Sequence, residues 1–169
     1  MKIKVFTCGG TIDKIYLETK GIYNFSFGEP AINEIYRDKV KLNFGYKIEP
    51  LFAKDSLKMK SSLYMNEGDR QTIKKACLKT KENKILITHG TDTMVETAKV
   101  LSDIKDKVII LTGASQPWRF RESDAEFNIG VAIGALNVLD KGIFIALNGR
   151  IYDWDKCKKI NGGRFVDKK

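Results

Sequence analysis

Residues 84–104 read KILITHGTDTMVETAKVLSDI, and this stretch decides the fold class of the chain. Its first part, KILITHG, is a short apolar run that ends at a glycine, which is typical of a buried strand. Behind it, apolar side chains recur at helical spacing, namely Met94, Ala98, Leu101 and Ile104. A buried strand followed directly by a helix predicts a sheet with helical crossover connections, and therefore parallel strands.

The same alternation of strand and helix patterns continues on both sides of this stretch. Strands are predicted at KIKVF (2–6), KVIILTGA (107–114) and GIFIAL (142–147), and an extended segment at VKLNFGYKIEPLF (40–52). A polar stretch without a predicted element follows the first strand. Helices are predicted over 29–39 with Pro30 in the first turn, over 66–83 with Asn66 as N-cap, and over 124–140 with Asp124 as N-cap. We therefore expect an α/β fold, a Rossmann-like three-layer sandwich whose mostly parallel sheet is covered on both faces, in a single domain.

The composition indicates a globular protein of ordinary domain size. The chain has 169 residues, of which 43% are hydrophobic and 30% charged. No apolar stretch approaches the length that a membrane span requires. The apolar run at the N-terminus is short and flanked by lysines, so it is interpreted as the first strand rather than as a signal peptide. We expect a cytoplasmic protein with no membrane partner.

The cysteines argue against a disulfide framework and against a structural zinc site. There are three of them, Cys8, Cys77 and Cys157, widely spaced and without a CxxC pair. The chain has one histidine, His89. This residue is predicted to be a buried structural side chain rather than a catalytic base.

The formal net charge of +9 raises the alternative of a nucleic-acid-binding protein. However, the lysines lie mostly beside acidic residues, and aromatic residues are not interleaved with them as stacking platforms. This pattern favours a solvated basic surface, so no nucleic-acid partner is expected.

Two predicted strands end in loops that carry hydroxyl side chains, VFTCGGTI (5–12) and LITHGTDTM (86–94). In open α/β sheets, ligands bind at the carboxyl ends of the strands. We therefore expect Thr11 to face the same crevice as Thr91 and Asp92, with the latter two at the amino end of the next helix. On these residues alone a structural interpretation stays open, because Thr and Asp are ordinary helix caps and paired glycines make tight turns.

Five motifs in chain order point to a known family: TCGGTID (7–13), KDSLKM (54–59), THGTDTMVETA (88–98), TGASQP (112–117) and DAEFN (124–128). On alternating β and α elements, they resemble the N-terminal domain of the bacterial-type L-asparaginases and asparaginase/glutaminase amidohydrolases, from residue 3 to about residue 165. The resemblance implies hydrolysis of a side-chain amide, of L-asparagine, glutamine or a related amide, without a metal or organic cofactor. Full-length members continue into a second domain, so residues 1–169 are expected to be an N-terminal-type domain with the usual C-terminal domain absent.

The resemblance also implies roles for individual residues. Thr11 matches the nucleophile, which Gly10 helps to present to the substrate. Thr91, Asp92 and a lysine match the proton relay; the lysine is Lys159, with Lys158 as the alternative. The implied substrate contacts are Ser56 for the α-carboxylate, Asp92 for the α-ammonium, the backbone at Gly10 and Ala114, and Tyr23 in the loop over the site.

The chain departs from the family pattern at three points. Phe25 occupies the position of the loop tyrosine, which Tyr23 replaces only if the loop shifts, and Leu57 stands where a glutamine is common. The third expected departure is the absence of the second domain, which in the family lends an acidic residue to a neighbouring subunit. The alternative function is a catalytically weak module that binds an amino acid.

A homodimer or larger homo-oligomer is expected. The predicted helix at 124–140 carries apolar residues around more than one face, as in a helix covered on both sides: Phe127, Ile129, Val131, Ile133, Leu136 and Val138. A central position of this helix within a monomer stays open as the other explanation.

Overall fold

The computed structural model describes residues 1–19, 22–52 and 61–168. The strands are β1 (Lys2–Thr7), β2 (Lys14–Thr19), β3 (Ile22–Phe27), β4 (Gly45–Pro50), β5 (Lys84–Thr88), β6 (Val108–Thr112), β7 (Gly142–Leu147), β8 (Arg150–Asp153), β9 (Cys157–Lys159) and β10 (Phe165–Asp167). The α-helices are α1 (Ala31–Glu34), α2 (Glu67–Lys79), α3 (Met94–Leu101) and α4 (Ala125–Val138). A π-helical turn, Ile35–Lys39, continues α1, and short 3-10 turns occur at Thr11–Asp13, Ser62–Tyr64, Trp154–Lys156 and Asn161–Gly163.

Six strands form the central sheet in the order β4-β1-β5-β6-β7-β8. The first five run parallel, and only the edge strand β8 is antiparallel to its neighbour. This arrangement confirms the predicted mostly parallel sheet. Because parallel strands point the same way, the loops that follow β1, β5 and β6 all leave from one edge of the sheet.

Side chains that alternate along the strands form two separate cores, one on each face of the sheet. Ile85 and Ile87 join the core under α2 and α3, whereas Leu86 between them joins the core under α1 and α4. The predicted helical stripe of α3 is buried in the first of these cores: Met94, Ala98, Leu101 and Ile104. Helices therefore cover both faces, which confirms the three-layer sandwich.

The predicted N-cap at Asn66 is confirmed. Its side chain accepts a hydrogen bond from the Asp69 amide at 3.1 Å, and the Asp69 carboxylate accepts one from the Asn66 amide at 3.0 Å. This reciprocal pair is a capping box, which fixes the start of α2.

Two local features go beyond the sequence predictions. The polar stretch after the first strand is a β-hairpin, with β2 and β3 paired from Lys14 and Phe27 to Thr19 and Ile22. Asp124 is the N-cap residue of α4, as predicted, but its side chain forms no capping hydrogen bond. Its carboxylate instead accepts hydrogen bonds from the amides of Ser115 and Gln116.

None of the helices in residues 1–19, 22–52 and 61–168 combines the length and the apolar character that a membrane crossing needs.

Candidate active site

The loops after β1, β5 and β6 lie side by side because the last residues of the three strands, Thr7, Thr88 and Thr112, are paired in register. The Cys8 amide donates to the Thr88 carbonyl at 2.9 Å, and the His89 amide donates to the Thr112 carbonyl at 2.9 Å. These bonds extend the parallel ladder by one residue beyond each strand. The hydroxyl-bearing loops therefore begin at the same level of the sheet.

Two glycines bring the first two loops into backbone contact. Gly10 has φ +99°, and a Cβ added to it would lie 2.6 Å from both Cα and N of Gly90. No side chain fits at this contact, and the positive φ also favours glycine. The contact holds the turn that begins at Thr11, which is partly exposed, against the loop that carries Thr91 and Asp92.

The loop after β6 packs equally closely. A Cβ added to Gly113 would lie 2.3 Å from the His89 carbonyl oxygen and 3.4 Å from Cγ2 of Thr91. The neighbouring Ala114 is buried in the core below α4. Its side chain therefore faces the core, and the backbone at Gly113 lies against the loop that carries Thr91.

Lys159 lies between Thr91 and Asp92. Its Nζ donates to Thr91 Oγ1 at 2.8 Å and to Asp92 Oδ1 at 2.6 Å. The side chain of Lys159 is 25% exposed and that of Asp92 45% exposed. Lys158, the alternative lysine, is exposed on the opposite side of β9, as the alternation of a strand requires. The sequence predicts Thr91 and Asp92 at the amino end of α3; both lie in the turn directly before it, because α3 begins at Met94 with Thr93 as its N-cap.

A short two-stranded sheet holds Lys159 in place. In it, Phe165 of β10 pairs with Lys159 of β9. The amide of Phe165 donates to Asn148 Oδ1 at 3.1 Å, and the Tyr152 hydroxyl donates to the Phe165 carbonyl at 2.8 Å. The lysine is thus tied, through its ladder partner, to the turn between β7 and β8.

Asn128 of α4 links that turn to the loop after β6. Its amide is fully buried, and Nδ2 donates to the Gly113 carbonyl at 3.0 Å and to Asp124 Oδ2 at 2.9 Å. Its Oδ1 accepts from the Asn148 amide at 3.1 Å. Burying a side-chain amide costs free energy unless its NH2 group and its oxygen form hydrogen bonds, as those of Asn128 do. The motif DAEFN contained Asn128, but nothing in the sequence pattern predicted this connecting role.

His89 has the structural role that was predicted. It is fully buried, its Nδ1–H donates to the Gly90 carbonyl at 2.7 Å, and its Nε2 accepts from the Thr97 hydroxyl at 2.9 Å. Burial lowers the pKa of His89 to about 4, against the opposing effect of the bond to Gly90. The neutral imidazole therefore fixes the carbonyl of Gly90 in the loop that carries Thr91.

Other predicted contacts are not brought to this cluster by the described residues. Ser56 and Leu57 lie outside them. Tyr23 pairs with Glu18 in the outer half of the hairpin, and its side chain is also outside the described part. Phe25 is more than half exposed, and its ring contacts the ring of Tyr16 at a centroid distance of 5.4 Å.

Ser62 is a hydroxyl that the sequence motifs did not indicate. Its Oγ accepts from the Thr93 amide at 3.3 Å, and its carbonyl accepts from the Thr93 hydroxyl at 2.8 Å. A Cβ on Gly90 would lie 2.7 Å from Ser62 Oγ. The available signal was a repeat, because KSSLYM (60–65) follows KDSLKM (54–59) and leads directly into the capped helix α2. The serine that the structure describes beside the Thr91 loop is Ser62.

Among the described residues, no group of three or more His, Cys, Asp or Glu side chains could hold a metal ion. The functional groups that the described residues bring to the crevice are hydroxyls, the Lys159 amine and the Asp92 carboxylate.

These features define a class of protein: an open α/β sheet with threonine hydroxyls, a lysine and an aspartate at the carboxyl edge of its strands. Residues 2–166 match the family described as "Asparaginase, N-terminal", and the chain belongs to this family. The match confirms the resemblance that the motifs indicated.

Individual relatives agree with this assignment. The glutaminase-asparaginase of Acinetobacter glutaminasificans is 33% identical over 115 residues, which cover 64% of this chain and 34% of the relative. The glutaminase-asparaginase of Pseudomonas fluorescens biotype A is 36% identical over 83 residues, 46% of this chain and 23% of the relative. L-asparaginase 2 of Escherichia coli (strain K12) is 34% identical over 88 residues, 48% of this chain and 25% of the relative. The matches thus span about a third or less of these relatives' lengths.

The fold is also shared with solved structures. The thermostable L-asparaginase from Thermococcus kodakarensis superposes with a TM-score of 0.80 at 24% identity, over 99% of this chain and 51% of that chain. L-asparaginase I from Vibrio cholerae gives a TM-score of 0.73 at 22% identity, over 98% of this chain and 51% of that chain. These likenesses establish the fold alone.

Proposed function

We propose that this protein is an amidohydrolase that converts the side-chain amide of L-asparagine, glutamine or a related amide to the acid and ammonia. The observation that carries the proposal is the position of Lys159, whose Nζ bonds to both Thr91 Oγ1 and Asp92 Oδ1. A module that only binds an amino acid does not need a lysine bonded to a threonine hydroxyl beside a second threonine, Thr11. Relatives named as asparaginases and glutaminase-asparaginases support the same class of reaction.

In the proposed mechanism, Thr11 Oγ attacks the amide carbon and loses its proton to the relay of Thr91, Lys159 and Asp92. Backbone N–H groups at the crevice stabilise the oxyanion of the tetrahedral intermediate. Protonation of the amide nitrogen through the relay lets ammonia leave and gives an ester on Thr11. Water then attacks the ester carbon, which releases the acid and returns the proton to Thr11 Oγ.

The substrate contacts remain proposals. The Asp92 carboxylate is close to half exposed, so one of its oxygens can accept a bond from the substrate's α-ammonium while the other bonds Lys159. Ser56 for the α-carboxylate, Tyr23 over the site, and backbone groups at Gly10 and Ala114 complete the proposed set. No metal or organic cofactor takes part in the proposed reaction.

The test is ammonia release from L-asparagine, L-glutamine and simple amides by the wild type, Lys159→Met and Lys158→Met. Lys158 is the matched control, because it is the adjacent lysine of the same strand and is exposed. We expect Lys159→Met to lose about 10²- to 10⁴-fold in rate, as for removal of a proton-transfer group. Lys158→Met should keep the wild-type rate. A wild type that binds asparagine in calorimetry but releases no ammonia from any amide would refute the proposal and favour the binding module.

We also propose a homodimer or larger homo-oligomer. Support comes from the outer side of α4, where Phe127 is 60% exposed and Val138 75% exposed within one chain. Apolar side chains exposed together on one helix face are often covered by a partner. Light scattering tests this proposal, and a mass near the 19.2 kDa of one chain would contradict it.

A cytoplasmic location and the lack of a nucleic-acid partner are further proposals. All three cysteines are unpaired and buried, which suits a reducing compartment. Several lysines are paired with acids, such as Lys74 with Asp103 and Lys4 with Glu49, which reduces their availability to phosphates. Retention on a polyanion column that vanishes at moderate salt would argue against this second proposal.

A further inference from the structure

Asp13 is a fully buried carboxyl group two residues after Thr11, in the same 3-10 turn. Within the described residues, its Oδ2 is buried and forms no hydrogen bond. A buried carboxyl oxygen without a partner costs free energy, so its presence calls for a physical explanation. The proposed mechanism gives Asp13 no part.

The contacts of Asp13 join three segments around the proposed nucleophile. Its Oδ1 accepts from the amide of Ala31 at the start of α1, at 2.8 Å. Its carbonyl accepts from the amide of Gly28 at the end of the hairpin, at 3.2 Å, and its own amide donates to the Gly10 carbonyl at 3.1 Å. The turn that carries Thr11 is therefore attached to the hairpin and to α1 through one residue.

Two titratable groups of the described residues interact electrostatically with this carboxyl. Cys8 lies near it at the end of β1, and the Arg119 guanidinium lies near it in the connection between β6 and α4. Arg119 is itself ion-paired with Glu34 of α1. Burial raises the pKa of Asp13 to about 7, although the Ala31 amide and Arg119 both act to lower it. Asp13 therefore changes its charge near neutral pH.

We propose that Asp13 is a positioning residue for Thr11, and that its neutral carboxyl holds the nucleophile turn against the start of α1 and loosens it on ionisation. The inference rests on the proposed function of Thr11. Burial disfavours the charged form of this carboxyl by more than the Ala31 amide and Arg119 favour it, and movement of the turn toward solvent relieves that cost. The turn is thus held more firmly by the neutral form. Since a displacement of about 1 Å at a reacting group can cost about 100-fold in rate, the hold on this turn affects turnover.

The test compares Asp13→Asn with the wild type. Asparagine keeps the size of the side chain and an oxygen that accepts from Ala31, but it cannot ionise. The control is Asp69→Asn, which changes another buried aspartate, in the capping box of α2. Urea unfolding of all three proteins establishes that each is folded under the assay conditions.

Rates of ammonia release are measured as a function of pH. We expect the wild-type kcat to fall about 10- to 100-fold as the pH rises through an ionisation near pH 7. Asp13→Asn, whose amide is neutral like the protonated carboxyl, should keep the low-pH kcat of the wild type and lack this fall, with KM within about twofold. Asp69→Asn should keep the wild-type profile. A merely structural role would lower stability without removing an ionisation, so an Asp13→Asn profile that parallels the wild type overturns the inference.

A second readout does not depend on activity. In nitrogen-15 NMR spectra, the amide signals of Thr11 and Ala31 should titrate together near pH 7 in the wild type and stay fixed in Asp13→Asn. If the wild type releases no ammonia, the proposed function fails, whereas this titration still tests the attachment of the turn. Amide signals of the wild type that do not move through the neutral range would overturn the positioning role.

Discussion

Replacing Gly10 with alanine tests the contact that brings the two proposed catalytic loops together. In the structure, Gly10 has φ +99° and ψ −178°. The position that a Cβ of this residue would occupy lies against Cα and N of Gly90. An alanine Cβ at this position would lie 2.6 Å from both atoms. These are backbone atoms and cannot move aside as a flexible side chain would, so the loops must separate.

The cost has two contributions. The backbone conformation of Gly10 is one that only glycine adopts readily, and forcing another residue into it costs about 1–3 kcal/mol. Overpacking against a rigid neighbour costs about another 1–3 kcal/mol. The sum of about 2–6 kcal/mol is a large part of the roughly 5–15 kcal/mol that stabilises a domain.

Urea unfolding of the wild type, Gly10→Ala and Gly130→Ala measures this cost. Gly130 lies in α4 with nothing within 4 Å of an added Cβ. Alanine is favoured over glycine in a helix, so this control should gain up to about 1 kcal/mol. Folded Gly10→Ala should also release ammonia more slowly, because Thr11 is displaced. If Gly10→Ala has the same urea midpoint of unfolding as the wild type, the backbone contact between Gly10 and Gly90 is not as described.

Two further predictions concern Thr91 and His89. Thr91→Val should lower the rate of ammonia release by about 10²- to 10⁴-fold while leaving the fold intact, because it removes the hydroxyl that Lys159 contacts; an undiminished rate would exclude Thr91 from the relay. For His89, the folded-state pKa of about 4 lies below its unfolded value. The unfolded state therefore binds the proton more readily, and the free energy of unfolding should fall by about 3 kcal/mol as pH drops from about 6.5 to about 4. Chemical unfolding across this range should show less dependence on pH in His89→Gln, and an unchanged dependence would contradict the assignment.

The layered fold could be predicted because its core follows simple periods. Apolar residues of α3 recur at helical spacing and are buried, and the central strands β5, β6 and β7 are apolar runs with helices between them. The hairpin of β2 and β3 could not be predicted in this way. Its apolar side chains, such as Tyr16 and Phe25, are about half exposed, so the alternation of buried and exposed positions that reveals a strand is missing.

The site was partly predictable for a different reason. Glycine pairs and hydroxyl loops at strand ends indicated where Thr11 and Thr91 would lie, and the family resemblance indicated Lys159. The contribution of Asp13 depends on a bond to Ala31, which is 18 residues away, and that of Asn128 on a bond to Asn148, which is 20 residues away. Such pairings are set by tertiary structure, and no local pattern in a single sequence specifies them.

The central claim is that Thr11 attacks a side-chain amide. The most direct measurement is ammonia release from L-asparagine by the wild type and by Thr11→Ala, with equal unfolding midpoints as evidence that both are folded. Since Thr11 is partly exposed in a surface turn, its truncation should affect stability little. We predict ammonia release by the wild type and none above background by Thr11→Ala. Wild-type rates in Thr11→Ala would contradict the claim.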